Sequence, residues 1–169
     1  MTPDALRAEL LKPWRHGEHF DGHGLRVDAA LDLSGRRLRG FDLSEARFAK
    51  TVDASQAELL GLAWFQKARF DASLRLAGAT CRFDLRLEEI ECPTLDLTGL
   101  RMEGVLWLDD ARVGKLILTD AVLLANLSLA RAEIGEIEAK NLEIMGGIWT
   151  HDANLDLTPF RDAHIEGRV

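Results

Sequence analysis

The sequence predicts an all-β fold: a four-sided coil of very short strands, with one short helix at its N-terminal end. Three observations predict it. Large apolar residues recur at steps of five or six from Leu33 to Ile165. The residue two before each of these sites is apolar as well, with Arg36 and Thr158 the exceptions. Glycine, asparagine and aspartate recur at a fixed phase after them.

Residues 3–14 read as a helix. Thr2 caps it, Pro3 suits its first turn, and Leu6, Leu10, Leu11 and Trp14 form an apolar stripe. It serves as a lid over the first coil, because a stacked repeat exposes its core at the ends. Residues 16–24 are polar and glycine-rich and read as a surface connection. His16, His19 and His23 fall within it, but their spacing matches no standard zinc module and no cysteine lies near. Residues 1–24 thus form a cap and loop, and 25–169 the coil.

Within the coil the first turn uses Leu33, Leu38, Leu43 and Phe48, and the second Ala54, Leu59, Phe65 and Phe70. Leu76, Cys81, Leu87 and Cys92 follow, then Leu97, Met102, Leu108 and Val113. Four steps make about one 21-residue period, which marks a solenoid. No helix holds an apolar period of five, since its face drifts at 3.6 residues per turn. Each step places two side chains inward with one outward between them, as a short strand does. Gly35, Gln56, Gly78, Gly99, Asp120, Asn141 and Asp162 fall at one corner, and Gly40, Gly61, Phe83, Gly104, Ala125, Gly146 and Gly167 at the next. Both sets read as turns that need positive φ. After Cys81 the six-residue step falls between the second and third sides, which predicts a wider corner there.

Stretches such as Ala46-Arg47-Phe48-Ala49-Lys50, Ala57-Glu58-Leu59-Leu60-Gly61 and Ala153-Asn154-Leu155-Asp156-Leu157 resemble the unit of the pentapeptide-repeat family. The resemblance covers roughly residues 25–167. It implies a right-handed quadrilateral β-helix, a pentapeptide-repeat solenoid of about 6–7 coils. The family prefers a small residue two before the centre. Side four keeps it with Ala46, Ala68, Ala111, Ala132 and Ala153, whereas side three carries Phe41, Leu85, Leu106, Leu127 and Ile148. A fatter coil than the family's square one is expected.

Composition narrows the function classes. The net charge is −7 and uneven: residues 1–50 hold nine basic and eight acidic side chains, and 51–169 hold twelve and twenty. That balance disfavours direct nucleic-acid binding and suits a basic partner. No apolar run is long enough for a membrane helix, and no signal-like leader is seen. Cys81 and Cys92 fall at inward positions on different sides, so they read as buried fillers without a disulfide. Two thiols of this kind suit the cytoplasm. Motifs for phosphate, nucleotide or zinc binding and for a nucleophile elbow are absent, so no enzyme, cofactor or metal site is expected.

Outward positions carry the candidate site. The residue before each third-side centre runs Asp42, Trp64, Arg86, Trp107, Ser128 and Trp149. Three of the four tryptophans therefore share one face, and exposed tryptophan is enriched at binding hot spots. Glu88, Glu89, Asp109 and Asp110 lie beside them, with Glu88 expected over Asp109 and Glu89 over Asp110. Trp64, Arg86, Trp107, Trp149, Glu88, Asp109 and Asp110 are the candidate partner-binding residues. Ile117, Val122 and Leu124 form a smaller outward apolar group, unless the register slips there.

The leading expectation is a non-enzymatic scaffold that binds a protein partner through this flat face. The resemblance implies an alternative, an acidic DNA mimic that binds a type II topoisomerase (DNA gyrase) and confers inhibitor resistance. Arg47, Arg69 and Arg112 on side four weaken that imitation. A self-assembling structural β-helix is the third reading. The open C-terminal end, past Ile165, predicts a homodimer through that end.

Overall fold

A computed structural model describes residues 1–169. It is a parallel β-solenoid whose four sides form three sheets. The second and third sides are separate sheets of seven strands each. Every pairing between coils is parallel and in register: Leu74 lies over Leu95, which lies over Leu116. Leu76, Leu97 and Leu118 accordingly stack in one column, and each is buried. Of the inward centres, only Thr150, Leu155 and Ile165 escape full burial, all near the C-terminal end. Burying each leucine contributes roughly 1.5–3 kcal/mol, so the column holds the rod together.

The fourth and first sides merge into one sheet. In the lower coils single strands, Glu91–Asp96, Arg112–Ile117 and Glu133–Glu138, run through the corner between them. The step across this corner is five residues there, but six from Phe48 to Ala54 and from Phe70 to Leu76. The extra residue breaks the strand in the upper coils. Pro93, Gly114 and Gly135 occupy the continuous corner. A Cβ on Gly114 would lie 2.6 Å from the Pro93 carbonyl oxygen, so the backbones approach too closely for a side chain.

The helix spans Pro3–Leu10, shorter than the stretch read from the sequence. Thr2 accepts a hydrogen bond from the Ala5 N–H at 3.2 Å, as a cap should. Leu6 and Leu10 are buried, but Leu11 and Trp14 lie beyond the helix and stay exposed. The lid is tied down by Arg7 Nε donating to the Asp32 carbonyl at 2.7 Å and the Arg39 N–H donating to the Leu10 carbonyl at 3.0 Å. The coil also begins earlier than residue 25. His19–Asp21, inside the polar stretch read as a loop, is already a strand paired with Gly40–Asp42.

The corners differ from expectation in part. Gly35, Gln56, Gly78, Gly99, Asp120 and Asn141 do have positive φ, as read, whereas Asp162, just past the 3-10 turn at the C-terminal end, does not. The glycines after the second side do not. A Cβ on Gly104 would lie 2.5 Å from the Phe83 carbonyl carbon, and one on Gly146 2.6 Å from that of Ala125. These glycines serve close stacking of backbone rather than left-handed turns. The second left-handed corner follows the third side, at Glu45, Lys67, Glu89, Asp110, Arg131 and Asp152. None is glycine or asparagine, so its composition hid it. The two cysteines are free and buried, as expected. Burial pushes the Cys81 thiol up to about 12 and the Cys92 thiol to about 11, so both stay protonated and unreactive near neutrality.

The two kinds of corner respond differently to substitution. Gly99→Asn keeps a left-handed residue where Asn141 already sits, with only ordinary contacts around it. Its urea midpoint should correspond to a change of under about 1 kcal/mol. Gly104→Ala forces a clash and should cost about 1–3 kcal/mol. Equal midpoints for the two variants would contradict the assignment.

Candidate partner-binding face

The third side is a flat sheet because seven short strands stack in strict register along it. Each strand turns one inward centre toward the core and leaves its two neighbours outward. Two outward columns result. One runs Asp42, Trp64, Arg86, Trp107, Ser128, Trp149, with every adjacent pair in register. The other runs Ser44, Gln66, Glu88, Asp109, Ala130, His151.

The tryptophans are not equivalent. Trp64 is half-buried, with its ring 6.4 Å from that of His19. Trp107 is half-buried and pinned on two sides. Its indole Nε1 donates to Asp84 Oδ2 at 2.9 Å, and the Arg86 guanidinium lies 5.2 Å from its ring centroid. Trp149 is 46 % exposed. Its ring meets Trp107 edge-on at 6.0 Å. Between these two coils Ser128 is buried, although its position faces outward.

The carboxylates stack as expected, Glu88 above Asp109 and Glu89 above Asp110, but the repulsion is offset within the chain. Arg86 Nε donates to Glu88 at 2.6 Å. Asp109 accepts the Ser128 hydroxyl and the Ala130 N–H. Asp110 takes both arms of Arg131, at 2.9 and 2.8 Å. Hydrogen bonding from Arg131 holds the Asp110 carboxyl below the usual range. Glu88 keeps one oxygen buried and without a partner.

The face thus brings Arg86, Trp107, Trp149, Glu88 and Asp109 into one connected group. Trp64 stands apart, and Asp110 turns to the corner with Arg131. Sequence reasoning missed Asp84 and Arg131, and it placed Ser128 in the column without its bond to Asp109. Their link to the face was readable only through the coil period: Asp84 lies directly above Val105, whose N–H it accepts at 2.8 Å, two residues before Trp107.

The face is flat and open, without a cleft to exclude water from a reacting group. Residues 34–80 match the family model for pentapeptide repeats, described as nine copies. Over those residues the chain carries the repeats of the pentapeptide-repeat family. Proteins of this family are generally structural or binding proteins rather than enzymes. No curated protein and no solved structure matches the chain. The match covers the upper coils, and the same in-register stacking continues from there to Ile165.

Elsewhere on the solenoid, the three loop histidines point to separate neighbours. His16 meets Trp14, His19 meets Trp64, and His23 Nε2 lies 3.7 Å from Glu45. Ile117 and Val122 remain in register and half-buried, so no slip explains them. Leu124 is exposed beside Met145 of the next coil. No helix is long and apolar enough to cross a membrane. At the C-terminal end a short 3-10 helix, Thr158–Phe160, replaces the expected strand and buries Phe160. Leu157 and Val169 stay exposed beside it.

Asp84 holds the face together through two hydrogen bonds. Asp84→Ala should lower stability by about 1–3 kcal/mol. It should also move the Trp107 indole N–H resonance toward its solvent-exposed position. Asp84→Asn keeps one acceptor and should lose less. An unmoved Trp107 resonance in Asp84→Ala would contradict this role.

Proposed function

We propose that the protein is a non-enzymatic scaffold that captures a protein partner on its third side, with Trp149 as the anchor. A solenoid of this family suits such a role. One observation carries the reading: a large indole stands 46 % exposed on a flat face, braced edge-on by a second indole that is itself fixed. A pre-braced ring loses little conformational freedom on binding, which favours affinity. Arg86, Glu88 and Asp109 on the same face are already paired, so they supply a polar rim rather than free charge. The fold does not require Trp149, because inward residues alone fill the core.

The DNA-mimic alternative gains no support from the fourth side. Arg26, Arg47 and Arg69 stack in register there, and Glu91, Arg112 and Glu133 alternate below them. Such a face has no continuous negative strip. A homodimer through the C-terminal end is a separate part of this proposal. It rests on the exposed Leu157 and Val169 around the buried Phe160.

Trp149→Ala should reduce partner recovery in a pull-down by tenfold or more, about 1.4 kcal/mol or above, with the fold intact. Undiminished recovery would remove this face from consideration. Light scattering of the wild type at rising concentration should show a dimer, and Leu157→Glu should hold the protein monomeric. A monomer at all concentrations, or a dimer unaffected by Leu157→Glu, would overturn the end-on assembly.

A further inference from the structure

Six of the corners between the second and third sides carry a small residue: Gly40, Gly61, Gly104, Ala125, Gly146 and Gly167. The remaining one carries Phe83. This ring does not serve the core, since Phe83 is 44 % exposed. One coil above, Gly61 makes room for a second ring: a Cβ there would lie 2.5 Å from Trp14 Nε1. Trp14 arrives from the connection after the cap helix, far from Phe83 in sequence. The two rings line one cleft together with Leu62.

The cleft has a volume of about 160 Å³. That is well below the roughly 300–1,000 Å³ of a site for a drug-sized ligand and suits a single long side chain. His16, Gly17 and Glu18 complete its lining, and Glu18 is the one acidic group among the lining residues. Arg15 approaches that carboxylate only to 3.9 Å, with both side chains more than half exposed. Such a contact is weak and readily displaced. Two aromatic rings and a carboxylate together select an apolar stem that ends in a positive charge. The overall charge of −7 favours the approach of a basic partner.

We propose that this cleft binds a lysine or arginine side chain of a protein partner. It shares no residue with the Trp64, Trp107 and Trp149 column, so its test is independent of the reading given for that face.

The test titrates isotope-labelled full-length protein with N-acetyl-lysine methylamide and with N-acetyl-arginine methylamide. N-acetyl-norleucine methylamide, which has the same stem without the charge, is the control. The Trp14 indole N–H resonance should move saturably with both cations, at a Kd on the order of 1 mM. The norleucine compound should bind at least about fivefold more weakly. Phe83→Ala should abolish saturation while preserving the fold, because Ala125 already occupies the same corner two coils below. Glu18→Gln, an exposed change that leaves both rings in place, should weaken binding roughly two- to fivefold. Absence of saturation, an equal response to norleucine, or wild-type binding by both variants would each overturn the proposal.

Discussion

Vertical stacking is the constraint on which the rest of the structure depends. Each coil hydrogen-bonds to the one below it, as when the Leu76 N–H donates to the Asp96 carbonyl, Leu97 to Ile117 and Leu118 to Glu138, at 2.7–2.8 Å. Those bonds hold only if equivalent residues lie over one another. The same alignment fills the interior, because Leu76, Leu97 and Leu118 then form one continuous column. A slip of one residue in any coil would turn its inward side chains to water and break the ladder on all sides at once.

Alignment also organises the surface. A residue type placed at one outward phase becomes part of a file, and opposite charges in neighbouring coils become pairs. Glu58 lies between Arg37 and Arg82 in this way, and Lys115 between Glu136 and Glu138. Such exposed pairs contribute little to stability. Their effect is to neutralise the sides, so that the rod presents mixed rather than single-sign faces. Against that background the exposed aromatic rings are the informative departures. Trp149 and Phe83 stand where packing requires no large side chain, on one face and at its adjoining corner.

The two ends are treated differently. At the N-terminal end a true helix inserts Leu6 and Leu10 over the first coil and is fastened by hydrogen bonds to Asp32 and Arg39. At the other end one turn of 3-10 helix buries Phe160 but leaves apolar surface around it. The asymmetry leaves one end closed by a helix and the other with Leu157 and Val169 exposed.

The sequence by itself determined the coil, its four sides, which residues face inward, and the files of outward residues. Each follows from a strict period, and a period is a property of sequence. The Trp64, Arg86, Trp107 column and the stacking of Glu88 on Asp109 were legible for that reason. Tertiary structure alone decided what spacing does not encode. It set which rings are exposed, since Trp107 is pinned by Asp84 and Trp149 is not. It set which corner is left-handed, since Glu45, Lys67 and Arg131 adopt that conformation under the pull of stacked neighbours rather than by their own preference. It also brought Trp14 beside Phe83, a meeting of two segments that no repeat relates. Local periodicity fixes direction, in or out, but contact between coils depends on side-chain size, rotamer and partner, and these are settled only when the layers meet.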